Sequence, residues 1–333
     1  MRLVVEWHAS AVVDDDGVQV DLLVWDGRGG VAAAAERLHA VGAGRLTPEA
    51  KRLLERFDDA TPSVPAPDDG LPSPEAEHLA LLDEAALFLA EQGVADAAGD
   101  LDRRIEHLQR AMDEVRVAAN LQSSRFIEWL GLFLVDLDLD QDRVALARTL
   151  ASADDLGSFA RGLGLAAPMH APARAEWRSL RDLAQSIGEV QGRLDRLEAA
   201  LRTLVDDHLP SLSRLVGPLL AAKLCVTAGG KGRLARLPSS TVQVLGAEQA
   251  FFAHLRTGSP PPKHGHLFGH PWVKRSPWWV RGKVARMLAG RCSIAARLDA
   301  YGGVPLDHDA VASVDAKVEA IRAAHPRPPK RRG

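Results

Sequence analysis

The 333-residue chain holds only two cysteines, Cys225 and Cys292, a single tyrosine, and 5% aromatic residues in all. Two thiols exclude a disulfide framework and a four-cysteine zinc site. Each lies in an apolar-rich stretch, so both are predicted to be buried thiols of a protein kept in a reducing, cytoplasmic compartment. No apolar run reaches the roughly 20 residues of a membrane span, so no membrane contact is expected. The opening Met-Arg-Leu-Val-Val-Glu-Trp alternates like a strand and lacks the apolar core of a signal peptide. Enzyme signatures are missing too: there is no Gly-x-Ser-x-Gly elbow and no Gly-x-Gly-x-x-Gly after a strand. The nearest approach to a phosphate loop, around Gly230-Lys231-Gly232, fails twice. Cys225 stands where the first glycine is needed, and Gly232 where a magnesium-binding hydroxyl is needed. No cofactor is expected.

Carboxylates are missing from one region in particular. Residues 211–305 hold 14 Lys/Arg against 2 Asp/Glu, whereas residues 1–210 hold 21 against 38, and the whole chain sums to only −3. Such segregation predicts a basic module for a polyanion joined to an acidic part with another task. It also leaves few groups for general acid/base chemistry in the basic module.

Elsewhere, 46% hydrophobic and 26% charged residues fit a globular protein of more than one domain. The patterning predicts a mainly α fold with a small N-terminal α/β domain over 1–95. There, strands are read at Leu3–Trp7 and Val18–Trp25, and helices at about 30–41, 48–57 and 75–92, with the proline-rich segment 61–74 as a loop. Leu180, Leu183, Ile187, Val190, Leu194, Leu197, Leu201 and Leu204 are spaced alternately by three and four, an a/d seam of more than three heptads. A second series, Leu101, Ile105, Leu108, Met112, Val115 and Ala119, supplies a stripe to cover it. The two predict a long antiparallel coiled coil over 96–209 with a connecting insertion at 131–177, either a closed hairpin or one with a second protomer packed at its tip. Pro210 ends the second helix. Beyond it, helices are expected at 216–224, 240–255 and 282–298 in an all-helical module over 210–305. The stretches 258–262 and 272–279 read as loops, and residues 306–333 as a final helix (about 308–324) with a basic tail, 327–333.

Two clusters imitate metal sites. Asp136, Asp138, Asp140 and Asp142 alternate like a calcium loop, but Gln141 and Ala147 occupy the positions of the required glycine and glutamate; a solvated acidic turn is the better reading. His264, His266 and His270 have no cysteine or flanking carboxylate, and Lys263, Lys274 and Arg275 surround them. No metal is expected, and the group fits a nucleic-acid surface better. Basic helices interleaved with Trp and His suit RNA, where cations meet phosphates and rings stack on unpaired bases. For Trp278 and Trp279, packing is favoured over stacking.

Several ordered blocks make the chain recognisable. Leu-Val-Gly-Pro-Leu-Leu-Ala-Ala-Lys-Leu (215–224), Leu-Ala-Arg-Leu-Pro-Ser-Ser-Thr-Val-Gln-Val-Leu-Gly-Ala-Glu-Gln-Ala-Phe-Phe (234–252), Pro-Pro-Lys-His-Gly (261–265), Arg-Gly-Lys-Val-Ala-Arg-Met-Leu-Ala-Gly-Arg (281–291) and Ala-Ala-Arg-Leu-Asp-Ala (295–300) resemble the NOP domain. The family in question is that of archaeal scaffold proteins of box C/D RNA methylation particles and their nucleolar relatives. The resemblance implies an N-terminal domain that docks the methyltransferase fibrillarin, a coiled coil that forms a homodimer, and a NOP domain. The last would grip a kink-turn guide RNA with a small ribosomal-type kink-turn-binding protein. It implies a non-catalytic scaffold for rRNA and tRNA 2′-O-methylation, and, since lysine-rich tails are missing, an archaeal particle. By motif position, Arg236, Ser239, Lys263, His264, Arg286 and Arg297 should approach RNA, with Arg281 and Lys283 as further phosphate contacts. Gln249 stands where the family usually has lysine. The rivals are a splicing-type NOP scaffold without a methyltransferase, a nucleotide-dependent RNA enzyme, and a pure coiled-coil assembly protein.

Overall fold

The computed structural model describes residues 1–63, 65 and 70–328; the end of the basic tail, 329–333, and most of the proline-rich segment's centre lie outside the described residues. The chain folds as two compact units, Met1–Gly99 and Asp100–Gly333.

In the first unit, β1 (Arg2–Val5), β2 (Ala9–Val13) and β3 (Gln19–Val24) form an antiparallel meander. Helices α1 (Gly30–Gly42) and α2 (Pro48–Arg56) lead to β4 (Thr61–Ser63), which pairs parallel to β1 and gives the order β3-β2-β1-β4. Helix α3 (Ala76–Gly99) follows. Thr47 starts α2, its hydroxyl accepting from the Ala50 N–H at 3.3 Å, with Pro48 in the first turn. Leu3, Val12, Ala50 and Leu53 form one core, while Trp7, Trp25, Ala34, Ala35 and Ala85 form another against α1 and α3. Within it Arg37 and Glu49 make a buried ion pair at 2.7 Å. Three features depart from the sequence reading. Strand β2 was not expected, and with all five of its residues buried it shows no inside–outside alternation. The segment 61–74 begins with a strand rather than a loop, since Pro62 sits on the sheet's edge, where a missing N–H leaves no ladder bond unmade. Helix α3 runs on to Gly99, straight through Gly93.

The second unit is helical throughout. Helix α4 (Leu101–Phe133) and helix α7 (Arg174–His208) form an antiparallel hairpin, joined at the far end by α5 (Arg143–Ala151) and α6 (Leu156–Gly162). The leucine seam of α7 faces α4 within the same chain. Leu180, Ile187, Val190, Leu194 and Leu201 are buried, with Leu183, Leu197 and Leu204 packed beside them. At the far end Phe126, Leu130, Leu150 and Phe159 extend the core. The aspartate run there is a turn, and Asp142 closes it by accepting from the N–H groups of Val144 and Ala145 at 3.0 and 3.1 Å.

Beyond His208 the chain breaks at Pro210, the first residue of α8 (Pro210–Val216). Then come α9 (Pro218–Ala228), α10 (Lys231–Arg236), α11 (Ser239–Val244), α12 (Glu248–Thr257), a 3-10 turn at His266–Gly269, α13 (Pro271–Lys274), α14 (Arg281–Ala300) and α15 (His308–Ala323). One hydrophobic core runs from Ile105, Met112 and Leu201 at the hairpin's root through Leu212, Ala221 and Val242 to Leu288, Ala295 and Val318. Both cysteines lie in it, buried as expected. The single helix expected over 240–255 is two helices parted at Gly246, whose φ of 82° belongs to the left-handed region. The tryptophan-rich loop contains the short helix α13, capped by His270.

Candidate nucleic-acid interface

The framework of the basic module is set by its scarce carboxylates. Between 211 and 305 there are two, Glu248 and Asp299, and both bind backbone. The Asp299 carboxylate accepts the Ser211 and Leu212 N–H groups at 2.8 and 2.9 Å, capping α8, and Glu248 accepts the Gly246 N–H at 2.8 Å. Neither pairs with a module arginine, so the cations of this surface keep their charge for a partner.

Helix α14 supplies the longest run. Lys283, Arg286, Gly290, Ile294 and Arg297 follow helical spacing along one exposed face. At its C-terminal end Arg297 Nε donates to the Ala235 carbonyl at 3.1 Å, which fixes α10 and places Arg236 beside it. At its N-terminal end the Lys263 side chain lies over Gly282, 3.5 Å from where a Cβ would stand. Fifteen residues separate these contacts, so the strip is roughly 22 Å long at 1.5 Å per residue. Ser239, exposed at the start of α11, completes the Arg236 end.

The Pro-Pro-Lys-His-Gly loop is held by Gln243, Leu245 and Gly246, which sequence reasoning did not single out, together with His266. Gln243 Nε2 donates to the Lys263 carbonyl at 2.7 Å, the Gly265 N–H donates to the Gln243 carbonyl at 3.0 Å, and the His266 N–H to the Leu245 carbonyl at 2.7 Å. A Cβ on Gly265 would collide with the Leu245 carbonyl, and one on Gly246 with the His266 ring. Gln243, Leu245, Gly246 and Gly265 lie inside the quoted blocks, which was the available signal, and His266 directly follows one of them; only the contact between blocks gives them their role.

The expected residues do not all stand free. Phe268 stacks with the His264 ring, 4.7 Å away, and the Arg281 guanidinium lies over it at 5.4 Å. Arg281 also donates to the Ser276 and Lys274 carbonyls at 3.0 and 3.2 Å, closing the turn into α14. Lys283 donates to His325 Nε2 at 2.7 Å. Trp279 packs on the core and donates to the His325 carbonyl at 2.9 Å, in line with the packing reading. Trp278 departs from it, with 62% of its surface exposed.

The three histidines do three separate things. His264 stacks, His266 shares a 2.9 Å hydrogen bond with Thr227, and His270 Nδ1 accepts the Trp272 N–H at 3.2 Å. Burial pushes all three below the usual histidine range, His270 to about 4. The positive charges of Arg281 and Lys263 add to this at His264, and that of Lys223 at His266. They are therefore neutral at neutral pH. Among the described residues no group of three His, Cys, Asp or Glu could hold a metal ion.

One further cluster has the composition of a nucleophilic triad. The Asp102 carboxylate meets His208 Nε2 at 2.7 Å, the Cys225 thiol at 3.3 Å and the Lys231 N–H at 2.9 Å. Cys225, however, donates to the carboxylate, and burial and the Asp102 charge push its thiol far up, opposite to what a nucleophile needs. Burial raises the Asp102 carboxyl, but the hydrogen bonds from His208, Lys231 and Cys225 outweigh it and hold the group below its ordinary value. This is a structural pin joining α4, α7, α9 and α10.

A family model described as "Nop: snoRNA binding domain, fibrillarin" matches residues 166–320, which takes in α7 and every element of the basic strip. Residues 166–320 carry the Nop domain of the nucleolar Nop-protein family. It is 33% identical over 257 residues to a NOP5 family protein of Methanocaldococcus jannaschii, covering 72% of this chain and 62% of that one. It is 41% identical over 109 residues to human nucleolar protein 56, covering 33% of this chain and 18% of the relative. The chain thus spans less than two thirds of the length of these Nop relatives. A solved chain of a fibrillarin/Nop5p complex aligns with a TM-score of 0.44 at 23% identity, covering 84% of this chain and 94% of that one, a likeness too weak to carry weight.

Proposed function

We propose that this chain is a non-catalytic scaffold of a box C/D RNA-guided 2′-O-methylation particle. The observation that carries it is the exposed basic strip of α14 with Arg236 and Lys263 at its two ends, inside the region that matches the snoRNA-binding family model. The strip would take the phosphates of a kink-turn guide RNA bound together with its kink-turn-binding protein. Lys263 and Trp278 would meet unpaired nucleotides. The match to a family model described as "snoRNA binding domain, fibrillarin" supports recruitment of fibrillarin, which would dock on the acidic N-terminal unit and supply the methyl transfer to rRNA or tRNA. Because the seam of α7 closes within the chain, a homodimer would use the far end of the hairpin, where Leu121, Leu132 and Val135 are 68, 72 and 89% exposed.

Reconstitution tests the reading. Methylation of a guide-matched RNA is expected only when fibrillarin, the kink-turn-binding protein, guide RNA and this chain are all present. Kink-turn binding without any capture of fibrillarin would point to the splicing-type scaffold instead. Methyl transfer by the chain alone would overturn the scaffold reading.

A further inference from the structure

We propose that the cleft at the far end of the hairpin, on the stripe of α7 that carries Arg174, Arg178 and Arg181, binds a ribonucleotide unit, free or within an RNA strand. The cleft encloses about 540 Å³, within the roughly 300–1,000 Å³ usual for small-ligand sites. Its arginines recur at intervals of four and three, so they line one face of the helix, and Trp177, Asp154 and Asp182 complete the wall.

Three like charges on two turns of helix repel one another unless carboxylates lie between them. Elsewhere on the hairpin arginines find such partners, Arg202 with Glu198 at 2.6 Å and Arg125 with Glu128 at 2.9 Å. In the cleft none of the three guanidiniums is ion-paired among the described residues, although Asp154 and Asp182 share it. The walls are nevertheless fixed. Arg181 donates to the Ala151 carbonyl at 3.0 Å, and Trp177 Nε1 donates to the Asp154 carbonyl at 3.0 Å, holding the indole at the cleft's edge.

The mixture of groups selects the ligand. Guanidinium forks match phosphate oxygens. The two carboxylates need hydroxyl or amino donors and repel a bare anion, and the indole of Trp177, packed in part against the hairpin core, lines the cleft as an aromatic contact for a base. A ribonucleotide brings all three, phosphate to the arginines, ribose hydroxyls to the aspartates and base to Trp177. Inorganic phosphate brings one, and deoxyribonucleotides lack the 2′-hydroxyl. The site lies roughly 40 Å along α7 from the hairpin's root, so it does not require the C-terminal strip to bind RNA.

The test uses the full chain with Arg236, Lys263, Arg286 and Arg297 replaced by alanine, to silence the strip, and fluorescein-labelled decauridylate as probe. Adding Arg174→Ala and Arg178→Ala should weaken binding about tenfold, the scale of one charge-assisted hydrogen bond. The corresponding lysine pair should retain most of it. A 4-thiouridine probe should crosslink within residues 171–185. Asp154→Asn with Asp182→Asn should narrow the preference for decauridylate over decathymidylate, which a merely structural role would not do. Competition by AMP assigns the site to free nucleotides, and binding of decauridylate without such competition assigns it to a strand. Unchanged affinity in the double alanine variant, or crosslinks only outside 171–185, would overturn the proposal. A change of mass in light scattering without loss of decauridylate binding would overturn it too, since the cleft would then be a contact between copies. Failure to bind kink-turn RNA by the otherwise natural chain would count against the scaffold reading alone.

Discussion

Arg297 and Arg281 carry the same charge on the same helix and are held differently. Arg297 gives one N–H to the Ala235 carbonyl and otherwise stays exposed, whereas Arg281 is bonded to two carbonyls and lies against Phe268. In a gel-shift titration at fixed salt, Arg236→Ala, Lys263→Ala, Arg286→Ala and Arg297→Ala should each weaken the RNA complex by roughly 1–3 kcal/mol. Lys317→Ala, on α15, should change little. Arg281→Ala should cost thermal stability more than affinity. His270 gives a pH test. Its folded pKa is depressed to about 4 from 6.5, so between those values the unfolded chain takes up a proton that the folded chain refuses. Stability is then complete above about pH 6.5 and falls as pH drops toward 4, with His264 and His266 acting in the same direction. His270→Asn keeps an acceptor for the Trp272 N–H and removes the titration, so chemical denaturation should show a shallower decline over that window. Sequence showed which residues are basic; it could not show which guanidiniums the backbone occupies, because those bonds join residues that only the fold brings together.

Among the elements, those with strong periodicity were legible and those decided by a neighbour were not. The seam from Leu180 to Leu204 announced α7, and the matching stripe from Leu101 to Ala119 announced α4, because the first sustains its heptad spacing for more than three heptads and the second for more than two. Val242 and Gln243 continue smoothly toward Phe251 in sequence, so the break at Gly246 was invisible; the reason for it is the Pro-Lys-His-Gly loop, which needs the Leu245 carbonyl as an acceptor. Strand β4 was hidden by Pro62, and its partner β1 lies more than fifty residues back. Two substitutions probe these elements. Leu201→Ala, in the hairpin core, should cost about 2–5 kcal/mol in denaturant unfolding. Gly265→Ala removes no charge yet should displace Lys263, lowering RNA affinity while the helical circular-dichroism signal persists.

For the molecule as a whole the segregation of charge matters more than its sum. A chain of net charge −3 binding RNA through a module with 14 cations and 2 carboxylates should lose affinity steeply with salt. The logarithm of the binding constant should fall linearly with that of salt concentration, and each alanine substitution in the strip should reduce the slope by close to one. If the far end of the hairpin pairs with a second copy, light scattering should give about twice 35.8 kDa. Charged substitutions at Leu132 and Val135 should halve that mass without unfolding the chain.

The Asp102 pin makes the hairpin a lever. Helix α7 has 35 residues and so extends roughly 52 Å at 1.5 Å per residue. A swing of about 5° at its root carries the far end through some 4–5 Å, more than the length of a hydrogen bond. Four elements meet at one carboxylate because angular error there is multiplied along the arm. Asp102→Asn, which keeps the shape and drops the charge, should therefore register most strongly far from itself, as a broadened distribution of spin-label distances between the tip and α14.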